Sequence, residues 1–428
     1  MGRVEEAIAD VRARRVWDSR GRPTLEAEVH LASGLSGRAI APAGASTGSG
    51  EAVDLRDGGE AHGGYDVTRA LAGVEREIAP ALRGLDVTDQ ATVDQVLISL
   101  DGSTNKGRLG GNALIAVSMA ALHAASNLAG APLWRYLVGD GDPVIPLPEI
   151  QIFGGGAHAG RRVDVQDFMV MAVGASSFAE ALDWTADVYR AAGLRMGAAG
   201  RLRGVADEGG YWPAFGTNEE ALEVLVGAIE DTGRVPGDDM AISLDIAASE
   251  FRIPGGYRLG LEQREVDTDG LCDLLLGWVD RYPIVSIEDP LAEDDAEGMR
   301  QFTAAVDGRV QVVGDDYLVT NAARVERAVR ERACHALLVK PNQAGTITET
   351  ASALHAARRA GFGTIVSARS GETEDVTIAH LAIGWGAGQL KVGSFARSER
   401  MAKWNEVLRI EEAIGSTSVF AGRRVLGC

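Results

Sequence analysis

Six apolar runs in the second half of the sequence stop at, or next to, side chains that could do chemistry. AISLD ends at Asp245, IVSIED reaches Glu288, VQVVGDD reaches Asp315, HALLVK ends at Lys340, GTIVSARS ends at Ser370 and GQLK ends at Lys391. Carboxylates at three of these ends, with no histidine or cysteine beside them, form a hard oxygen donor set that suits Mg²⁺ and would not select zinc. A rim of helix-capping acids is the plainer reading of the same three residues.

The chain has four lysines, Lys106, Lys340, Lys391 and Lys403, among 42 basic residues in all. Lysine kept at two strand ends of so arginine-rich a chain implies a task that a guanidinium cannot do. An always-protonated arginine is a poor base, whereas an ammonium can lose its proton. A free lysine titrates at about 10.4, and a neighbouring cation would push it down toward working pH. Lys340 and Lys391 beside a dication would suit removal of a proton from the carbon next to a carboxylate, the metal stabilising the enolate that results.

Such residues need one frame to bring them together. Short buried runs alternating with amphipathic helices predict parallel strands of an α/β barrel, whose strand C-termini meet at a single face. Thr217 and Glu220 fit a capping box at the start of a helix over Asn218 to Ile229. Nearer the N-terminus, Leu25, Ala27, Val29 and Leu31 alternate with Thr24, Glu26, Glu28 and His30, the pattern of a half-buried strand. Gly34, Ser36 and Gly37 then supply a turn, so a hairpin opens the chain. Helices follow as far as Trp134, and GDGDPVIPLP breaks all periodicity, which divides the chain into residues 1–138 and 139–428.

A length of 428 residues suits a large domain with a smaller companion. The net charge of -19 argues against nucleic acid as a partner. The most apolar stretch, Asn112 to Ala129, is interrupted by Ser118, His123, Ser126 and Asn127 and reads as a buried helix, so no membrane partner is expected. Cys272, Cys334 and Cys428 are scattered and lack metal-ligand spacing, and the start MGRVEEAIADVRARR has no signal-peptide core. A cytoplasmic protein is the expectation. The loop GASTGSGE, Gly44 to Glu51, has the composition of an anion- or metal-covering loop, although such loops are often plain connectors.

Taken in order, DSRGRPT at Asp18, GASTG at Gly44, GAHAG at Gly156, DEGG at Asp207, LDIAASEF at Leu244, SIEDP at Ser286, GDD at Gly314, VKPNQAGT at Val339, SGETED at Ser370 and ARSER at Ala396 resemble the segments of the enolase family. The resemblance implies an α/β fold, an enolase-like modified (β/α)8 barrel with a smaller N-terminal α+β domain, usually assembled as a homodimer or octamer. It implies two Mg²⁺ sites: Asp245, Glu288 and Asp315 for the first, and Ser46 for a second that forms only with substrate. Lys340 would be the base, Lys391 would neutralise the substrate carboxylate, and Glu208, supported by Asp167, would protonate the departing β-hydroxyl. Arg369, Ser370, His158 and Gln166 would complete the binding of a small anionic phospho- or phosphono-carboxylate.

Three departures from the family pattern stand out. Ala368 replaces a histidine that lies against the substrate phosphate, Asp167 stands where glutamate is usual, and Gly154 replaces the asparagine of an N-G-G turn. Two of them fall on the phosphate and leaving-group side, which predicts retained proton abstraction with a different group handled at the far end. That pattern resembles the carboxyphosphonoenolpyruvate synthase branch, from phosphonate antibiotic biosynthesis. The alternatives are an ordinary phosphopyruvate hydratase and a catalytically inactive binding paralogue.

Overall fold

The computed structural model describes residues 5–427. At the N-terminal end, β1 (Ile8–Trp17), β2 (Pro23–Leu31) and β3 (Ser36–Ile40) form an antiparallel sheet in that order. Leu25, Ala27, Val29 and Leu31 of β2 are buried, as the alternation predicts. Its other face is less open than expected, because Glu26 is buried under Arg14 and lies 3.4 Å from Arg38. The sequence reading did not include β1, most of whose side chains remain partly exposed and whose apolar alternation is weak.

Helix α1 (Gln90–Asp101) starts at Asp89, whose carboxylate accepts from the Thr92 N–H. Helix α2 (Gly111–Leu128) is buried along nearly its whole length and packs on β2 and β3. Its closeness to β3 requires Gly37, where a Cβ would come within 2.1 Å of the Ala124 nitrogen. Among the described residues no helix is long and apolar enough to cross a membrane.

The barrel strands are β4 (Leu147–Gly154), β5 (Asp167–Met171), β6 (Ala241–Asp245), β7 (Ile284–Glu288), β8 (Gln311–Gly314), β9 (Ala336–Val339), β10 (Gly363–Ser367) and β11 (Gly388–Ser394). They close in the order β7-β8-β9-β10-β11-β4-β5-β6. The six runs read from the sequence are β6 to β11, and they pair in parallel. The other two strands break the simple repeat, since β5 runs antiparallel to both β4 and β6.

One placement differs from expectation. Lys391 lies in the middle of β11, opposite Glu149 of β4, because the strand continues past a register irregularity to Ser394. Helix α3 (Phe178–Ala198) is capped by Ser177, and α4 (Asn218–Asp231) by Thr217, whose hydroxyl accepts from the Glu220 N–H. The capping box at α4 is one-sided. Glu220 reaches back to the Gly216 N–H at 2.7 Å instead of that of Thr217, and it also pairs with Arg201.

The main apolar core lies between the barrel strands and the outer helices, a second lies under the N-terminal sheet, and the inward-facing Val313, Ala336, Leu338 and Ile365 form a small cluster of their own. Ile347 and Leu381, from helices around the barrel, join the second core. Cys272 and Cys334 are buried free thiols, and burial pushes Cys272 up to about 12, which makes it unreactive. Cys428 lies outside the described residues.

Candidate active site

The C-terminal face of the barrel gathers Asp245, Glu288, Asp315, Lys340 and Lys391, none more than 7% exposed. Asp245 and Glu288 end their strands, while Asp315 and Lys340 follow β8 and β9 directly. Lys391 Nζ lies 2.7 Å from Glu288 Oε2, 2.9 Å from Asp245 Oδ2 and 3.5 Å from Asp167 Oδ2. Lys340 pairs with Asp315, which also accepts from Gln343 Nε2 at 2.8 Å. Gln166 Nε2 donates to Asp245 Oδ2 at 3.1 Å, so Gln166 holds a carboxylate of the oxygen set.

This pairing reverses the expected direction of the Lys340 shift. Burial alone would lower the ammonium's pKa, but the Asp315 carboxylate outweighs burial and raises it. Lys391 is raised well above the ordinary lysine range for the same reason, with Asp245 and Glu288 as its main partners. The expectation of a depressed lysine presupposed a cation as neighbour, and here the neighbours are anions.

The residues fit a hard divalent cation. Glu288 is pushed well above the usual carboxylate range by burial and by the charge of Asp245, and its Oε1 is buried without a hydrogen-bond partner. An orphaned oxygen among converging carboxylates suits Mg²⁺. Among the described residues two groups have ligand atoms that all lie within 4.8 Å of one another: Asp289, Asp315 and Asp316, and His158, Asp167 and Glu208. The expected set of Asp245, Glu288 and Asp315 is not that close, with Lys391 bonded to the first two and Lys340 to the third. Asp289 is committed to shaping the turn: from a backbone φ of 40° its carboxylate accepts the Asp315 N–H at 2.9 Å and the Asp316 N–H at 2.7 Å.

Joined to Lys391 through Asp167 is a histidine held between two acids. His158 Nδ1 is 2.9 Å from Asp167 Oδ1, and its Nε2 is 3.7 Å from Glu208 Oε1. Burial would lower the imidazole, but the two carboxylates prevail and push it up to about 9. Asp167, wholly buried, is held well below the usual range because His158 and Lys391 outweigh burial. Gln151 locks this arrangement by donating to Asp167 and accepting the Gly210 N–H at 2.8 Å. Asp167 therefore reaches Glu208 through His158, which faces these acids.

Arg369 is fully engaged with the glycine-rich loop. Its Nη1 donates to Glu51 Oε2 and to Asn342 Oδ1, both at 2.9 Å, and its Nη2 donates to the Ser46 carbonyl at 2.9 Å. Ser46 thus meets Arg369 through its backbone, and Ser370 Oγ accepts from Arg20 at 3.4 Å. The cavity bounded by Ser46, His158, Glu208, Lys340, Arg369 and Lys391 measures only about 20 Å³, room for one water. Ala368 is buried on its wall. At Gly154 a Cβ would fall 2.6 Å from that of Ala206, so the turn excludes a side chain. A larger cavity, about 540 Å³, opens at the other end of the barrel beside His335, Arg358 and Arg424, away from every residue singled out above.

Several residues of the site escaped the sequence reading. Glu51 clasps Arg369, Gln343 links Glu51 to Asp315, and Glu372 accepts the Arg369 N–H. Arg400 and Lys403 lie fully buried below the turn that carries Arg369 and Ser370. The scarcity of lysine marks Lys403, but it stands on a helix and not at a strand end. Nothing in the spacing marks Arg400, since it stands on a helix among 42 basic residues.

Comparison with known proteins agrees with this geometry. The family profile described as "Enolase, N-terminal domain" matches residues 8–137, and "Enolase, C-terminal TIM barrel domain" matches residues 142–427. "Enolase 1" of Desulfitobacterium hafniense (strain Y51) is 48% identical over 421 residues, 98% of this chain and 96% of that protein. "Enolase 1" of Methylococcus capsulatus (strain ATCC 33009 / NCIMB 11132 / Bath) is 47% identical over 419 residues, 97% of this chain and all of its own length. With its lysine-and-carboxylate face and both halves matched, the chain belongs to the enolase family.

Proposed function

We propose that the chain is a magnesium-dependent phosphopyruvate hydratase that dehydrates 2-phosphoglycerate to phosphoenolpyruvate. The observation that carries this reading is the pair of buried lysines, Lys340 and Lys391, lining one cavity with Glu208. Lys340 takes the proton from the α-carbon as the neutral amine, a form that its pairing with Asp315 disfavours and that a cation held by Asp315 would restore. Glu208, linked to Asp167 by His158, gives a proton to the β-hydroxyl, which leaves as water while the double bond forms. Lys391 neutralises the substrate carboxylate, and Arg369 and Ser370 take the phosphate. Asp245, Glu288 and Asp315 would hold Mg²⁺, which would supply Lewis-acid stabilisation of the enolate charge, and Ser46 would help to hold a second ion.

Two near-full-length relatives named Enolase 1 support ordinary dehydration over the phosphonate branch. The proposal extends to a cytoplasmic homo-oligomer, each chain of which divides into an N-terminal domain, residues 1–138, and a barrel domain, residues 139–428. Phosphorus NMR of the protein with Mg²⁺ and 2-phosphoglycerate tests the function. Phosphoenolpyruvate formed without a second substrate is the expected result. Product only after addition of phosphonoformate or its nucleotide-activated form would return the phosphonate branch, and no product with either would favour a binding paralogue.

A further inference from the structure

Helix α5 (Ser398–Ile414) carries Arg400 and Lys403 three residues apart, hence on one face. Both side chains are 0% exposed, and both point at the turn over residues 369–373. Arg400 Nη1 donates to the carbonyls of Arg369 at 2.6 Å and Val392 at 2.9 Å, and its Nη2 donates to the Ser370 carbonyl. Lys403 Nζ donates to the Thr373 carbonyl at 2.7 Å and lies 2.9 Å from Glu372 Oε2. Glu372 in turn accepts the Arg369 N–H at 2.9 Å. The same Arg400 Nη1 lies 4.0 Å from Glu208 Oε1.

Burying two cations side by side is costly unless their donors are used, and an apolar pair could fill the same volume. The expense is explained if the turn needs them. A peptide carbonyl facing the cavity would repel an anion, and Arg400, which does not line the cavity, turns the Arg369 and Ser370 carbonyls away from it. One guanidinium fork thereby joins the turn, the strand after Lys391 and the neighbourhood of Glu208. We infer that Arg400, backed by Lys403, is the positioning residue of the phosphate-binding turn: it sets the affinity for the substrate phosphate without touching it. The inference rests on the phosphate role proposed above for Arg369 and Ser370.

Arg400→Lys keeps the charge and loses the fork. The test measures inorganic phosphate binding in the presence of Mg²⁺ and Mg²⁺ binding alone by calorimetry, together with KM and kcat for 2-phosphoglycerate. The phosphate Kd and the KM should each rise about tenfold, as expected when a bidentate charge-assisted contact is lost, while the Mg²⁺ Kd stays within about twofold. Unchanged phosphate affinity would overturn the inference, and so would phosphate and Mg²⁺ affinities falling together, which would mark general loosening. Should Arg400→Lys fail to fold, Lys403→Gln reads the same turn through Thr373 and Glu372, with a smaller rise in phosphate Kd expected and no rise contradicting the role. A wild type unable to dehydrate 2-phosphoglycerate would count against the function itself, whereas an active wild type matched by an unaltered variant counts against the positioning role alone.

Discussion

At the scale of single residues, the site is a set of charges that compensate one another. Lys340 and Lys391 neutralise carboxylates that would otherwise repel, and His158 does the same for Asp167 and Glu208. His158 is raised from 6.5 to about 9, so its stabilising contribution is complete below pH 6.5 and is lost as pH rises through 9. Thermal midpoints of wild type and His158→Gln, compared across that window, should differ most at the acid end and converge at the alkaline end. A constant gap would mean the imidazolium is not the stabilising species. The sequence marked most of these residues because apolar runs ended on them. It could not reveal which lysine meets which acid, since spacing assigns a side chain to a face and leaves the partner to three-dimensional packing. The same limit explains the inverted Lys340 shift.

Secondary-structure elements show where pattern reading succeeds and where it stops. Runs such as AISLD and HALLVK were legible because a strand buried on both faces is apolar throughout and ends sharply. The direction of β5 was not legible, because DFMVM is an equally short apolar run and nothing in its composition distinguishes an antiparallel neighbour. In the sequence Lys391 reads as a strand end because the polar residue looks terminal, yet VGS continues the ladder with all residues buried. Packing of β3 on α2 rests on the missing side chain at Gly37. Gly37→Leu should cost about 2 kcal/mol or more through overpacking, read as a lower thermal midpoint. An unchanged midpoint would show that the sheet can move off the helix freely.

For the whole molecule, the question is how the N-terminal sheet and helices are held on the barrel whose site they help to cover. Buried Asp94 of α1 accepts from Ser118 of α2 and from both the backbone and hydroxyl of Thr348 beside the barrel. Asp94→Ala leaves those donors unsatisfied and should destabilise the fold by roughly 2 kcal/mol, visible in the denaturation midpoint. Preserved stability would place the main tie elsewhere. The dehydration proposed for the barrel face comprises two proton transfers with two owners. The most direct measurement is proton NMR of 2-phosphoglycerate in heavy water with Mg²⁺, following exchange at the α-carbon in Lys340→Ala and Glu208→Gln. Lys340→Ala should lose exchange and dehydration together, and Glu208→Gln should keep exchange while losing dehydration. Exchange that survives in Lys340→Ala, with the protein folded, would contradict the assignment of the base.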